Sequence, residues 1–215
     1  RPFVILKAAT SIDGRMAGAP GSRTRLTSAA ANRHVQYLRA RVDAIAVGSG
    51  TILVDDPLLT ARDVYRERPL MRVVFDRRLR TPPHARLFST LSAGPVIILT
   101  TRDAAAAKAP ERLALERAGA DVIALDETGL RQALRALSAL DVQCVLLEGG
   151  AAIHAAAWNE GVVDYVQLYV TPLALGVTGV PLFSGRPWSL SSLIDPRVEV
   201  LGPDTVIEGY VHRPH

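Results

Sequence analysis

A single cysteine, Cys144, stands in the whole chain, so no intramolecular disulfide can form and a reducing compartment is expected. It sits in an apolar run, VQCVLLE, and reads as a small buried hydrophobe rather than a reactive thiol. Aromatic residues are scarce at 5%, which leaves core packing to aliphatic side chains and alanine. Hydrolase and metal signatures are missing: there is no GxSxG, no HExxH and no CxxC, and the five histidines fall at unconnected positions. Basic residues come in ones and twos, with no block of five or six. The net charge of +4 and pI near 9.6 therefore lack the focused patch of a nucleic-acid binder and suit small phosphorylated ligands. The uncharged stretch from Tyr165 to Gly185 is long enough to span a bilayer, but Pro172, Gly176, Gly179 and Pro181 break it. A strand followed by a glycine/proline loop is the better reading. No signal peptide is visible, and a chain opening at Arg1 without methionine is expected to have lost upstream sequence.

What is present is an alternation. Short β-branched runs at 3–9, 43–48, 71–76, 95–100, 121–125, 143–148 and 163–170 read as strands. Between them, 27–41, 104–119, 130–140 and 151–160 have helical length. Thr27 or Ser28 can cap the first, in which Val35, Leu38 and Val42 recur at helical spacing. Continuous apolar strands alternating with amphipathic helices predict an α/β fold with a mostly parallel central sheet covered on both faces. VEVL (198–201) and VIEGYVH (206–212) flank a GPDT turn and predict antiparallel C-terminal strands. With 48% hydrophobic residues and no linker or internal repeat, residues 1–215 read as one domain.

Sheets of this kind bind ligands at the carboxyl ends of their strands. After DAIAV comes GSGTILVDDPLLTAR (48–62), whose glycines let backbone approach a phosphate, although Leu53 stands where a dinucleotide fingerprint needs its third glycine. The Asp55–Asp56 pair has no third carboxylate or histidine near it in sequence, so no metal site is expected. Arg77 and Arg78 follow one strand and Arg102 another, in places that suit a 2′-phosphate. LLEGGAAIH (146–154) ends a buried-looking strand on Glu148, then opens through Gly149 and Gly150 onto a helix N-terminus with amides free for a phosphate. A carboxylate there would repel phosphate, so Glu148 is expected to face a sugar hydroxyl or an amine.

Three separated motifs, KAATSIDGRMA (7–17), LRARVDAIAVGSGTILVDDPLLTAR (38–62) and VLLEGGAAIH (145–154), together resemble the reductase domain of riboflavin biosynthesis. The resemblance covers the chain from Phe3 to about Tyr210. It implies a three-layer, dihydrofolate reductase-like fold and NADPH-dependent reduction of the ribosyl group of a pyrimidine 5′-phosphate. By the same resemblance, Ala9, Thr51, Asp55, Arg77 and the run Gly150, Ala151, Ala152, Ile153, His154, Ala155 and Ala156 fall at cofactor positions. Arg39, Leu59 and Arg62 fall at positions for the phosphoribosyl substrate, the two arginines suiting its 5′-phosphate. Glu148 is a substrate contact and the candidate catalytic group, with a bound water as the other source of the proton.

The loop PGSRTRL (20–26) departs from the family pattern SGxSxW. Arg23 replaces a substrate-binding serine and Arg25 a tryptophan that lies on the cofactor; Ser22 takes the serine's role if the loop shifts by one. Arginine can donate to a phosphate and stack on a ring, so Arg23 is read as a substrate contact and Arg25 as a cofactor contact. The resemblance further implies a cytoplasmic homodimer and a deaminase domain fused upstream or acting in partnership; the uncharged Tyr165–Gly185 region and the C-terminal strands are the expected dimer contact. Membrane and nucleic-acid partners are not expected. Two alternatives stay open: a reductase of a pterin or dihydrofolate-like substrate on the same fold, and a non-catalytic nucleotide-binding module.

Overall fold

The computed structural model describes residues 1–22, 24–126, 129–182 and 189–212. Among these, the chain runs β1 (Phe3–Ser11), β2 (Arg15–Ala17), α1 (Ala29–Arg41), β3 (Ala44–Gly48), α2 (Ser49–Asp55), β4 (Met71–Phe75), β5 (Val96–Thr101), α3 (Arg102–Ala107), α4 (Ala109–Arg117), β6 (Ala120–Leu125), α5 (Leu130–Ser138), β7 (Cys144–Glu148), α6 (Ala151–Asn159), β8 (Tyr165–Thr171), β9 (Val180–Pro181), β10 (Ile194–Leu201) and β11 (Asp204–Tyr210). Two short 3-10 segments, Arg86–Ala93 and Leu190–Ser192, complete it.

The nine-stranded sheet has the order β10-β11-β8-β1-β7-β3-β4-β5-β6. From β8 to β6 the neighbours pair in parallel, and β11 and β10 add antiparallel at one edge. Successive side chains point to opposite faces of each strand, so each strand feeds two cores. Val145 and Leu147 of β7 join Leu134 and Leu137 of α5 and Trp158 of α6 on one face. Leu146 joins Ile45, Ile52, Val74 and Leu115 on the other. These two cores make the molecule three-layered. A smaller cluster, Ala31, Val35, Tyr169 and Val206, seats α1 over β8 and β11. The Ser28 side chain caps α1 by accepting from the Ala31 amide, and its own amide donates to Asp204 at 2.7 Å, which ties the helix to the C-terminal hairpin.

The main departures from the sequence reading have local causes. The stretch 104–119 is two helices, because Pro110 lacks an N–H and Lys108 leaves helical geometry at φ −122°, ψ 46°. β10 begins at Ile194 rather than 198, with its register irregular between Ile194 and Arg197, around Pro196 on the sheet edge. The ribbon of β2 and β9 is too short to leave a periodic signal.

Arg72 of β4 is fully buried. Its guanidinium donates to the Leu87 carbonyl and Thr90 Oγ1, each at 2.8 Å, and to the Gly94 carbonyl. The arginine thus fastens the 3-10 segment onto the sheet. Arg72→Met would strip the Gly94 carbonyl and Thr90 Oγ1 of the guanidinium and leave the Leu87 carbonyl only the Thr90 hydroxyl, and urea unfolding should show a loss of about 3 kcal/mol.

Candidate active site

The sheet order reverses where β7 returns between β1 and β3, and strand ends splay apart at such a point. A cleft of about 1540 Å³ opens there, walled by the carboxyl ends of β1, β3 and β7, by α1, and by the starts of α2 and α6. That volume is ample for two small molecules side by side.

Its floor is a buried charge cluster. Lys7 and Glu148 stand directly opposite each other in the β1–β7 register. Arg39 comes from α1 and grips Glu148 with two parallel bonds, Nε to Oε1 at 2.7 Å and Nη2 to Oε2 at 2.8 Å. Its remaining arm donates to the Thr60 carbonyl at 2.9 Å. Little of either side chain is exposed, 14% for Arg39 and 12% for Glu148, so solvent screens the pair weakly. Burial alone would raise the Glu148 pKa, but Arg39, and then Lys7, more than offset it and hold the group below the usual carboxylate range. Glu148 is therefore a carboxylate at neutral pH. Burial also lowers the Lys7 amine from its ordinary value; Glu148 pulls it back up and Arg39 adds to the fall.

The glycines after Glu148 have separate jobs. A side chain on Gly149 would lie 2.1 Å from Ile153 Cγ2, so only glycine lets the strand pass under the first turn of α6. Gly150 faces the cleft and caps α6 without a side-chain bond. Gly48 does the same for α2. Two sets of amides without a side-chain cap thus open on one space, where an anion fits. His154, fully buried in α6, accepts from the Gly149 amide through Nε2 at 3.1 Å and fixes the bend.

The structure brings most of the expected residues to this cleft. Ala9, Arg25, Arg39, Thr51, Asp55, Leu59, Arg62, Glu148, Gly150, Ala151, Ala152 and Ile153 all line it. The main chain of Arg62 is held by Gln36, whose Oε1 accepts its amide at 2.8 Å, and its side chain is exposed at the rim. The rest of the expected set lies elsewhere. His154 and Ala155 are on the buried face of α6, and Ala156 packs against the core, because only the first turn of a helix can present its residues at its mouth. Arg77 is exposed beyond β4 and does not line the cleft. Arg102 pairs with Asp126 at the surface. Arg39 is spent on Glu148 and Thr60, so Arg62 is the arginine of the pair whose side chain is open at the rim. Ser22 also lines the cleft, its hydroxyl donating to the Ala19 carbonyl at 2.7 Å. Arg23 lies outside the described residues. Among those described, no group of three or more His, Cys, Asp or Glu gathers to hold a metal, and no helix is long and apolar enough to cross a membrane.

With this geometry in view, the chain matches the family model described as the RibD C-terminal domain over residues 2–207. The chain belongs to that family. It is 35% identical over 82% of its length to a 2,5-diamino-6-ribosylamino-4(3H)-pyrimidinone 5′-phosphate reductase of Methanothermobacter thermautotrophicus, covering 80% of that protein. It is 30% identical over 96% of its length to the riboflavin biosynthesis protein RibD of Aquifex aeolicus, covering 57% of it. Among solved structures, RibD of Acinetobacter baumannii superposes with a TM-score of 0.79 at 26% identity, over 97% of this chain and 58% of that one. The chain thus spans little more than half of these RibD proteins. The fold is the dihydrofolate reductase-like one of the RibD reductase domains, as the sequence motifs implied.

Lys7, on the floor of the cleft, had drawn no role from the sequence. Its signal was there. Of 25 basic residues only Lys7 and Lys108 are lysines, and Lys7 interrupts an otherwise apolar run in the middle of its strand.

Burial of His154 produces a measurable pH effect. Desolvation, with Lys7 adding to it, lowers the ring from 6.5 to about 4. Unfolding returns it to water, so as pH falls from about 6.5 the unfolded state takes up a proton that the folded state refuses until about 4. Stability supplied by the neutral ring is full above that window and lost through it. Urea unfolding of His154→Gln, which keeps an acceptor for Gly149, should lose about 2 kcal/mol less between pH 7 and pH 5 than the unmodified chain. Equal losses would remove His154 from the acid response.

Proposed function

We propose that this chain is an NADPH-dependent reductase that converts the ribosyl group of an aminopyrimidine ribosylamino 5′-phosphate to the ribityl form. The observation that carries the reading is the pairing, in one cleft, of a buried Lys7–Glu148–Arg39 floor with the Gly149–Gly150 bend at the mouth of α6. Family membership and the named activity of the Methanothermobacter relative support it.

The residues present fit a dinucleotide. The open face at Gly150, the amides of 151–153 and the start of α2 near Thr51 would hold a pyrophosphate, with Ala9 leaving room on β1 for a flat ring. When bound, the cofactor supplies a hydride. Arg62 would hold the substrate phosphate at the exposed end, and Leu59 would pack on the sugar side. Glu148, fixed as a carboxylate by Arg39, would orient a sugar hydroxyl or an amine. It is a poor acid in that state, so we assign the proton that balances the hydride to the Lys7 ammonium, in place of the acid role expected of Glu148. At the altered loop, Arg23 and Arg25 would replace the family's serine and tryptophan. We assign deamination to another domain or chain, since the sequence carries no deaminase metal motif, and we place the enzyme in the cytoplasm.

Incubation with NADPH and each of the amino and deaminated pyrimidine phosphoribosyl compounds should give a product two hydrogens heavier by mass spectrometry, with NADH markedly less efficient. Oxidation of NADPH by dihydrofolate instead would transfer the assignment to a pterin. Lys7→Met and Glu148→Gln should each lower kcat by roughly 10²–10⁴-fold while moving the cofactor KM little. A kcat within a few-fold of the unmodified enzyme would remove that residue from the chemistry.

We further propose that the enzyme pairs with a second copy through β10. Of the expected Tyr165–Gly185 contact, β8 lies inside the sheet between β11 and β1, and residues 183–185 lie outside the described residues. The edge strand β10 instead shows Val198 and Val200 at 67% and 72% exposure, on one side of the strand. Val198→Asp combined with Val200→Asp should convert a dimer to a monomer by light scattering; a monomeric parent at micromolar concentration would contradict the pairing.

A further inference from the structure

Among the described residues, no carboxylate forms an ion pair with Lys7. Both oxygens of Glu148 are taken by Arg39, and among the described residues no acidic oxygen comes within 4.0 Å of the lysine amine. The amine sits instead over the ring of Tyr169, 5.4 Å from its centroid. Tyr169 lies on β8 opposite Ala9, two residues along β1 from Lys7, and on the same face of the sheet. The ring is fully buried among Ala31, Val35 and Val206. Its hydroxyl meets His34 Nδ1 of α1 at 2.8 Å, which fixes the ring's angle. The other charged and titratable groups facing Lys7 are Glu148 from β7, Arg39 from α1 and His154 from α6.

We propose that Tyr169, braced by His34, is a positioning residue whose ring face carries the Lys7 ammonium and points it into the cleft. A lysine stem has four rotatable carbons, and a floppy amine makes a poor proton donor. The electron-rich face attracts the cation without taking up its protons in hydrogen bonds, so the donors stay free for a ligand. A second carboxylate in the same place would hold the amine more tightly but would occupy it. The kinetic part of this inference rests on the reductase reading; the contact itself does not.

The test reads Lys7 directly. Acetic anhydride acylates only the unprotonated amine, and mass spectrometry of the folded protein across pH gives the Lys7 midpoint, with Lys108 as the reference in the same digest. Tyr169→Leu should lower the Lys7 midpoint by about one pH unit, since the ring no longer favours the cation, while Tyr169→Phe, which keeps the face and loses only the His34 brace, should lower it by a small fraction of that. If Tyr169→Leu fails to melt cooperatively, a series of increasingly fluorinated phenylalanines at 169 keeps the shape and weakens the face, and the midpoint should fall stepwise. A flat series, or a shift in Tyr169→Phe as large as in Tyr169→Leu, overturns the ring-face assignment. In the enzyme assay the alkaline limb of kcat should move with the midpoint; a fixed limb overturns the positioning role. Absence of turnover in the unmodified protein would count against the reductase reading, and the labelling result would still stand or fall by itself.

Discussion

The site depends on a carboxylate kept charged where water is scarce. A lone Glu148 in this position would take up a proton, because desolvation penalises the ion more than any distant charge can repay. Arg39 prevents that with two matched bonds and a rigid planar fork that a lysine could not supply. The arginine in turn depends on α1, which is seated by Ala31 and Val35 and capped by Ser28. Helix, sheet and site are therefore one construction. Loosening α1 would release Arg39 and neutralise Glu148 together.

A second constraint is close approach of backbone. β7 must pass under α6 and still leave the helix mouth open, so one glycine is needed for packing and the next for access. His154 reaches back from the helix interior to hold the first of them. The histidine is thereby a structural member with an acidic pKa, and its place in the motif does not make it a ligand contact.

Much of this was legible in the sequence for identifiable reasons. The β-branched runs gave the strand positions because parallel strands covered on both faces are apolar throughout. The carboxylate–glycine–glycine step stood out because its chemistry changes within three residues. Less could be seen where the partner is remote. Arg39 and Glu148 are 109 residues apart, so nothing in the sequence showed that the fold pairs them with each other. Lys7 passed as part of an apolar strand. The residues from His154 to Ala156 looked like a continuous cofactor contact, but helical geometry turns them into the core. Arg77 and Arg102 sat at strand ends of the correct sheet, yet outside the cleft.

We propose that one cleft holds a dinucleotide on its glycine side and a phosphoribosyl compound on its charged side, with the lysine amine between them. A crystal structure of the chain with NADP⁺ and ribose 5-phosphate tests it most directly. Pyrophosphate oxygens are expected on the amides following Gly150, the sugar within hydrogen-bond reach of both Lys7 Nζ and Glu148, and the carboxylate still gripped by Arg39. A dinucleotide seated away from the α6 mouth, or a sugar out of reach of Lys7, would contradict it.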